Sequence, residues 1–146
     1  MKSTLDNCDG IILDNLNFQN EDELIIKISE LILSDSKTDL NFSNGNVIKG
    51  LNPLELRTES RQFTVNFKGV AFYQVVDESY CYWDNYDIRD GKYKLQELIK
   101  SRYLDFINDN FPFYSNLDKS GTHYRLITSD QVIDIICFDK PTILEL

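Results

Sequence analysis

The sequence is poor in the residues that mark specialised small folds, with three cysteines, three prolines, six glycines and one histidine among 146 residues. Cys8, Cys81 and Cys137 are an odd number at long, irregular spacings, which excludes a disulfide framework and a zinc knuckle and indicates a reducing compartment. The N-terminal apolar run at residues 11–13 is too short for a signal-peptide core or a membrane span. We therefore expect a cytoplasmic protein.

Positive charge is also scarce, because 15 Lys and Arg face 24 Asp and Glu and leave a formal charge of −9. A binder of nucleic acid or of anionic membranes needs a basic surface, so we expect neither partner. The hydrophobic fraction of 42% supplies a core for one domain over residues 1–146. Residues 1–60 hold 11 acids and 5 bases, so most of the excess lies there. Such a surface serves solubility or meets a basic partner.

The clearest strand pattern covers residues 61–78, where Phe63, Val65 and Phe67 alternate with polar residues. Gly69 permits either a hairpin turn or a bulge within one long strand. We favour the bulge, because the residues on either side of the glycine keep the same alternation.

Residues 94–110 have the period of an amphipathic helix that ends before Phe111-Pro112. Its apolar side is formed by Leu95, Leu98, Ile99, Tyr103, Phe106 and Ile107. Arg102 falls within this apolar stripe, so we expect it to have a buried or half-buried acceptor.

Residues 123–138 predict a hairpin with a turn at 128–131. Pairing Ile127 with Val132 sets Arg125 opposite Asp134, an arrangement that stabilises a sheet by roughly 0.2–1 kcal/mol. We expect residues 141–146 to add an edge strand.

The first sixty residues are more ambiguous. Residues 23–33 fit both a helix and a strand, and we favour the strand because three isoleucines are clustered there. Asn44-Gly45 predicts a hairpin turn. Together these patterns predict an α+β fold, a mainly antiparallel, twisted sheet with one principal amphipathic helix at about 94–110 packed on it.

Sequence motifs argue against most enzyme chemistries. His123 is the single histidine, and no serine- or cysteine-hydrolase motif accompanies it. No zinc or calcium motif and no phosphate-binding glycine loop occurs, so we expect no metal and no cofactor. The predicted hairpin sets His123, Arg125 and Asp134 on one sheet face. Glu78, at the end of the strand pattern at 61–78, reaches them only if the two strands are neighbours, which the sequence does not establish. These four residues form an alternative small-ligand or enzymatic site.

A second candidate site is a cluster of aromatic and acidic residues that follows the strand at 61–78. Its members are Tyr80, Tyr82, Trp83, Asp84, Tyr86 and Asp87. Tyrosine and tryptophan beside acids in a loop are typical of protein-recognition surfaces. The other interpretation is that Tyr80 and Tyr82 extend the strand and Trp83 covers the core.

Several segments between residues 60 and 140 carry a family resemblance. They are the strand pattern from Phe63 to Val76, Asp77-Glu78-Ser79-Tyr80, Lys100-Ser101-Arg102-Tyr103-Leu104, His123-Tyr124 and Ile133-Asp134-Ile135. In these segments the chain resembles small, uncharacterised bacterial cytosolic proteins, some of them immunity proteins of toxin systems. The resemblance implies an α+β fold and carries over no catalytic residue.

These observations favour a non-enzymatic, inhibitory binding protein, such as an immunity protein that neutralises a basic toxin. Charge complementarity would speed the capture of such a partner. The alternative is a small-ligand-binding protein or an enzyme that uses the polar site around His123. The sequence leaves the oligomeric state open.

Overall fold

The computed structural model describes residues 1–83, 85–115, 117 and 120–146. The strands are β1 (Gly10–Phe18), β2 (Leu24–Leu33), β3 (Thr38–Asn41), β4 (Val47–Leu51), β5 (Leu54–Glu55), β6 (Gln62–Phe67), β7 (Val70–Asp77), β8 (Ile88–Arg89), β9 (Leu95–Lys100), β10 (Thr122–Ile127), β11 (Gln131–Cys137) and β12 (Thr142–Glu145). The helices are α1 (Arg102–Asn110) and α2 (Pro112–Ser115), and 3₁₀ turns occupy Thr4–Asn7 and Glu78–Tyr80. The expected α+β class with antiparallel sheets is confirmed.

Two five-stranded antiparallel sheets form the body of the molecule. The first has the order β1-β2-β6-β12, with β5 also paired to β2, and the second has the order β7-β11-β10-β9-β8. The segment at residues 23–33, which fits two secondary structures by sequence, is strand β2. The expected edge strand near the C-terminus is β12, which pairs with β6.

The main core lies between the two sheets. Both sheets contribute buried side chains to it, among them Ile26, Phe63 and Val65 from the first sheet and Leu126, Ile133 and Ile135 from the second. Burying apolar surface at about 25 cal/mol per Å² is the main force that holds such layers together. Helix α1 covers the outer face of the second sheet, where Ile107 packs with Ile136 and Phe72.

The segment at residues 61–78 forms neither the hairpin nor the single bulged strand that its pattern allows. Strand β6 belongs to the first sheet and β7 to the second, and the two do not pair with each other. Gly69 has a φ of +64° at the crossing point, a conformation that glycine adopts without steric cost. The buried side also changes across the glycine, because Phe63, Val65 and Phe67 are buried in β6 whereas the odd-numbered residues of β7 are exposed.

The helix predicted at 94–110 is shorter than expected, because residues 95–100 are strand β9 and α1 begins only at Arg102. Pairing with β10 satisfies the backbone of residues 95–98 and overrides the local helical period. Ser101 caps the helix by accepting a hydrogen bond from the Leu104 amide at 3.0 Å.

The position predicted for Arg102 is also wrong. Because the helix starts at this residue, its side chain is exposed and its guanidinium lies 4.3 Å from the ring centroid of Tyr86, away from the apolar stripe.

The hairpin β3–β4 turns at Asn44-Gly45 as predicted, with a φ of +85° at Gly45. Every residue of its two strands is exposed, so the hairpin projects from the body of the molecule. Across the described part of the chain, no helix has the length and apolar character needed to cross a membrane.

Candidate functional site

A network of buried polar side chains lies on the outer face of the second sheet. The predicted register of β10 and β11 is confirmed, with Ile127 opposite Val132 and Arg125 opposite Asp134. The Arg125 Nε donates to Asp134 Oδ1 over 2.7 Å, and His123 Nε2 lies 2.7 Å from the same oxygen. Side chains on adjacent strands of one face meet in this way because cross-strand partners share a face.

Asp134 is the centre of this network. The Gln74 side-chain amide on β7 donates to its second oxygen, Oδ2, over 2.9 Å. Burial alone would raise the pKa of Asp134, but the hydrogen bonds from His123 and Arg125 outweigh burial and hold the pKa at about 2. The side chain is therefore a carboxylate at neutral pH, and its nearest donors fix its position.

Ser101 extends the network on the other side of His123. Its hydroxyl lies 2.5 Å from His123 Nδ1, which gives a serine–histidine–aspartate chain of contacts. Ser101 is 1% exposed and His123 is fully buried, and Ser101 Oγ also accepts the capping bond of α1. A nucleophile must reach its substrate, so this arrangement suits a structural role better than acyl transfer.

Asp87 and Tyr86 hold the loop before β8 in place. Asp87 accepts from Arg125 Nη1 over 3.1 Å and from the Arg102 backbone amide over 2.9 Å. The Tyr86 hydroxyl donates to Asp105, which raises the pKa of this tyrosine. Tyr86 and Asp87, which belong to the predicted aromatic and acidic cluster, thus make intramolecular contacts that stabilise the loop.

Tyr80, Tyr82 and Trp83 form what we call the aromatic surface. Tyr80 and Tyr82 are each 83% exposed and Trp83 is 40% exposed. Asp77 caps the 3₁₀ turn that carries Tyr80 by accepting from the Ser79 amide. The predicted site residue Asp84 lies outside the described residues. The interpretation that Tyr80 and Tyr82 extend the strand does not hold, since β7 ends at Asp77.

Trp83 is held at the edge of this surface by two arginines. The guanidinium carbons of Arg89 and Arg125 lie 5.1 and 5.7 Å from its ring, within the range of cation–π attraction. The aromatic surface and the buried network therefore meet at Arg125, which contacts both.

A cavity of about 230 Å³ lies where they meet. Its lining is formed by Gln74, Val76, Tyr80, Cys81, Tyr82, Trp83, Arg125, Val132 and Asp134. The cavity is smaller than the 300–1,000 Å³ typical of drug-sized ligand sites, so it matches a small ligand or one side chain of a partner. Arg125 and Asp134 from one predicted site thus line the same cavity as the aromatic surface from the other.

The remaining predicted residues that the structure describes do not line the cavity. Neither Glu78 nor His123 belongs to its lining. The backbone amide of Glu78 donates to the Asp130 carbonyl, which ties the start of the 3₁₀ turn to the β10–β11 turn. Among the residues that the structure describes, no three His, Cys, Asp or Glu side chains form a group that could hold a metal ion.

Sequence reasoning missed Gln74, Cys81 and Ser101. Gln74 is opposite Asp134 on β7, so its place follows from strand order, which the sequence does not contain. Ser101 carries a usable signal, because a serine three residues before a leucine in a helical pattern is a candidate N-cap. The longer predicted helix concealed it.

The strand order and the outer-face site define the chain as an α+β protein of two packed antiparallel sheets with a surface cavity. Comparison with protein-family models, with curated proteins and with solved structures found no match.

Proposed function

We propose that the chain is a non-enzymatic cytoplasmic protein that binds and inhibits a basic protein partner through the aromatic surface. The observation that carries the proposal is the 83% exposure of both Tyr80 and Tyr82 beside a cavity. Exposing two large rings costs free energy in an isolated protein, and buried aromatics next to a pocket are the common centres of binding energy in interfaces.

The charge of the chain supports the choice of a basic partner. The formal charge is −9, and the exposed side chain of Asp77 lies at the start of the turn that carries the aromatic surface. Long-range attraction between an acidic binder and a basic protein raises the association rate. An immunity protein that occludes a bacterial toxin is the form of this function that the sequence resemblance suggests.

The rigid base of the aromatic surface supports a binding role as well. Trp83 is fixed by Arg89 and Arg125, and Arg125 is fixed by Asp134 and Asp87. A side chain that is already held, such as Trp83, loses little entropy when the partner arrives. The buried network therefore acts as a support for Trp83.

The test uses the purified product of the gene adjacent to the one encoding this chain, if that product is a toxin. We expect binding by calorimetry, and rescue of growth when the two are co-expressed. The double variant Tyr80→Ala/Tyr82→Ala should weaken binding by about thirtyfold or more, the equivalent of about 2 kcal/mol. The association rate should fall as salt is added.

The matched control is Tyr73→Ala. Tyr73 is an exposed tyrosine that packs against Phe18 and lies on the face of β7 opposite to Gln74 and the cavity. We expect this variant to bind like the wild type. Equal affinity of the wild type and the Tyr80/Tyr82 double variant would show that the aromatic surface is not the binding site.

The second candidate is binding of a small polar ligand in the cavity, which the presence of Arg125 and Asp134 in its lining favours. Trp83 is the single tryptophan of the chain and also lines the cavity, so its fluorescence reports on an occupant. Titration with short-chain carboxylates, amides and amines should change this fluorescence, and Val76→Phe, which fills the cavity, should abolish the change. If none of the three probes alters the signal, the small-ligand function is wrong.

A further inference from the structure

The turn of the hairpin β3–β4 holds an asparagine and a glycine where solvent reaches both. Asn44 and Gly45 are exposed, and the hydrogen bond from the Phe42 amide to the Asn46 carbonyl, at 2.9 Å, closes the turn around them. The chain has thirteen asparagines, and Asn44 is the one that a glycine follows. The pair sets a side-chain amide next to a backbone nitrogen that no side chain shields.

These two groups can react with each other. The backbone nitrogen of Gly45 is the nucleophile, and the side-chain amide carbon of Asn44, Cγ, is the electrophile. Their bond closes a five-membered ring with the carbonyl carbon, Cα and Cβ of Asn44. The bond from Cγ to the side-chain nitrogen breaks, and this nitrogen leaves as ammonia with the proton that the Gly45 nitrogen gives up. The product is a cyclic imide.

Water is the only co-reactant that the next step needs. Addition of water at Cγ opens the imide to aspartate, and addition at the backbone carbonyl carbon opens it to isoaspartate, in which the main chain runs through the side chain. Either route consumes one water and releases one ammonia, without an oxidant or a reductant. The neutral amide of Asn44 becomes a carboxylate, which adds one negative charge to the formal charge of −9.

Two features of the turn favour the attack on Cγ. A Cβ placed on Gly45 would meet no atom of the described molecule within 4 Å, so the nitrogen lies in an uncrowded part of the surface. The side-chain oxygen of Asn44, Oδ1, accepts a hydrogen bond from the Asn46 backbone amide over 3.1 Å. This bond draws electron density away from Cγ and makes it a better electrophile.

One hydrogen bond opposes the attack. The Gly45 amide donates to the Phe42 carbonyl over 3.0 Å, and this bond must open before the nitrogen can turn toward Cγ. Every residue of β3 and β4 is exposed, and the two strands form a sheet of their own. A two-stranded hairpin is at best marginally stable in water, so its local opening costs much less free energy than global unfolding.

We propose that Asn44 is a site of spontaneous deamidation in the folded protein, through a cyclic imide formed with Gly45. The register of a hairpin depends on the length and type of its turn. Isoaspartate lengthens the main chain at this turn, so the pairing of Leu40 with Ile48 should be disturbed in the product. The two five-stranded sheets do not pair with this hairpin, so their strand pairing should stay as it is.

Incubation of the purified, folded chain at pH 8 tests this proposal. We expect the peptide that contains residue 44 to gain the mass that replaces an amide by a carboxylic acid, and to separate into aspartate and isoaspartate forms. Asn46 is the matched internal control, because it is exposed in the same turn but is followed by valine. Conversion at Asn44 should be at least about tenfold faster, the effect of a modest difference in activation free energy.

The variant Asn44→Gln is the second control. Its longer side chain would have to close a larger ring, so we expect this variant to stay unconverted at position 44 over the same period. Equal rates at Asn44 and Asn46 would overturn the proposal. So would a folded chain that keeps Asn44 intact while the urea-unfolded chain converts it, because the turn would then protect the residue. Neither result bears on the capture of a basic partner by the aromatic surface.

Discussion

Asp134 is the residue on which the site most depends, because it accepts hydrogen bonds from three different side chains on two neighbouring strands. Removing one member of a buried ion pair leaves the other charge without compensation. The residue thus links the stability of the fold to the position of Arg125 and, through it, of Trp83.

We expect Asp134→Asn to lower the free energy of unfolding by about 3 kcal/mol, since it leaves Arg125 with Asp87 as its remaining carboxylate partner. Urea unfolding at pH 7 measures this. The control is Asp130→Asn in the exposed β10–β11 turn, where a surface substitution should change stability by less than about 0.5 kcal/mol. Equal losses in the two variants would contradict the central role of Asp134.

The same residue makes stability dependent on pH in the acid range. The pKa of Asp134 is lowered from an ordinary 3.8 to about 2, so its stabilisation is complete above pH 4 and is lost as the pH falls toward 2. This loss amounts to about 2 kcal/mol. Glu30, which accepts from Arg61 and also has a pKa of about 2, adds a second loss over the same range.

Urea midpoints measured at pH 5, 3 and 2 should therefore fall less steeply in Asp134→Asn than in the wild type. The Glu30 contribution should remain in the variant, so its curve should still slope downward. Parallel curves would mean that Asp134 does not titrate with a lowered pKa.

At the scale of single elements, substitutions at two glycines with positive φ measure the cost of backbone strain apart from the cost of steric crowding. Gly45 has open space around the position of a Cβ, whereas a Cβ at Gly69 would lie 3.2 Å from the Cβ of Phe138. We expect Gly45→Ala to cost about 1 kcal/mol for the left-handed conformation alone. Gly69→Ala should cost about 2 kcal/mol or more, because crowding adds to the same strain.

Thermal or urea unfolding of the two variants compares their losses in the free energy of unfolding. Each variant is the control for the other. Gly69 also joins the two sheets, so its loss should appear in global unfolding, while strain in the projecting hairpin need not reach the core. A larger effect at Gly45 would contradict this account of the crossing between β6 and β7.

The elements that sequence predicts well are those whose partners are near in the chain. The register of β10 and β11 follows from a short turn and from a pattern that sets Arg125 opposite Asp134. The strand β9 was missed because its partner β10 is more than twenty residues away, and residues 95–100 are compatible with a helical period. Local pattern cannot distinguish the two outcomes, which tertiary pairing decides.

The site follows the same rule. The proximity of Arg125 and Asp134 follows from the hairpin register, whereas Glu78 and His123 do not line the cavity. The polar residues lie beside the aromatic segment because β7 pairs with β11. This pairing brings Gln74 to Asp134 and places the turn after Asp77 beside the buried network. Asp77 to Tyr82 are distant from Asp134 in sequence, so only strand order makes them neighbours.

For the whole molecule, the three free cysteines give a direct readout of the core and the site. Cys8 and Cys137 are buried and Cys81 is half-buried in the lining of the cavity. We expect the folded chain to react with a thiol reagent at Cys81 alone, and at three thiols in urea. Burial raises the pKa of Cys81, so this reaction should be slower than that of an unfolded cysteine.

The variant Cys81→Ser is the control and should leave no reactive thiol in the folded state. Reaction of two or more thiols in the wild type before unfolding would mean that the core is more open than the structure indicates. A bound partner or ligand at the cavity should slow the reaction of Cys81 in the wild type.

The pairing of β12 with β6 has a consequence for how the chain folds during synthesis. The first sheet holds strands from both ends of the sequence, with β1 at one edge and β12 at the other. Until residues 142–145 leave the ribosome, the edge of β6 is unpaired and exposes backbone groups that can pair with other chains. Because such distant pairings also close slowly, we expect the edge of β6 to be open to pairing with other chains until β12 occupies it.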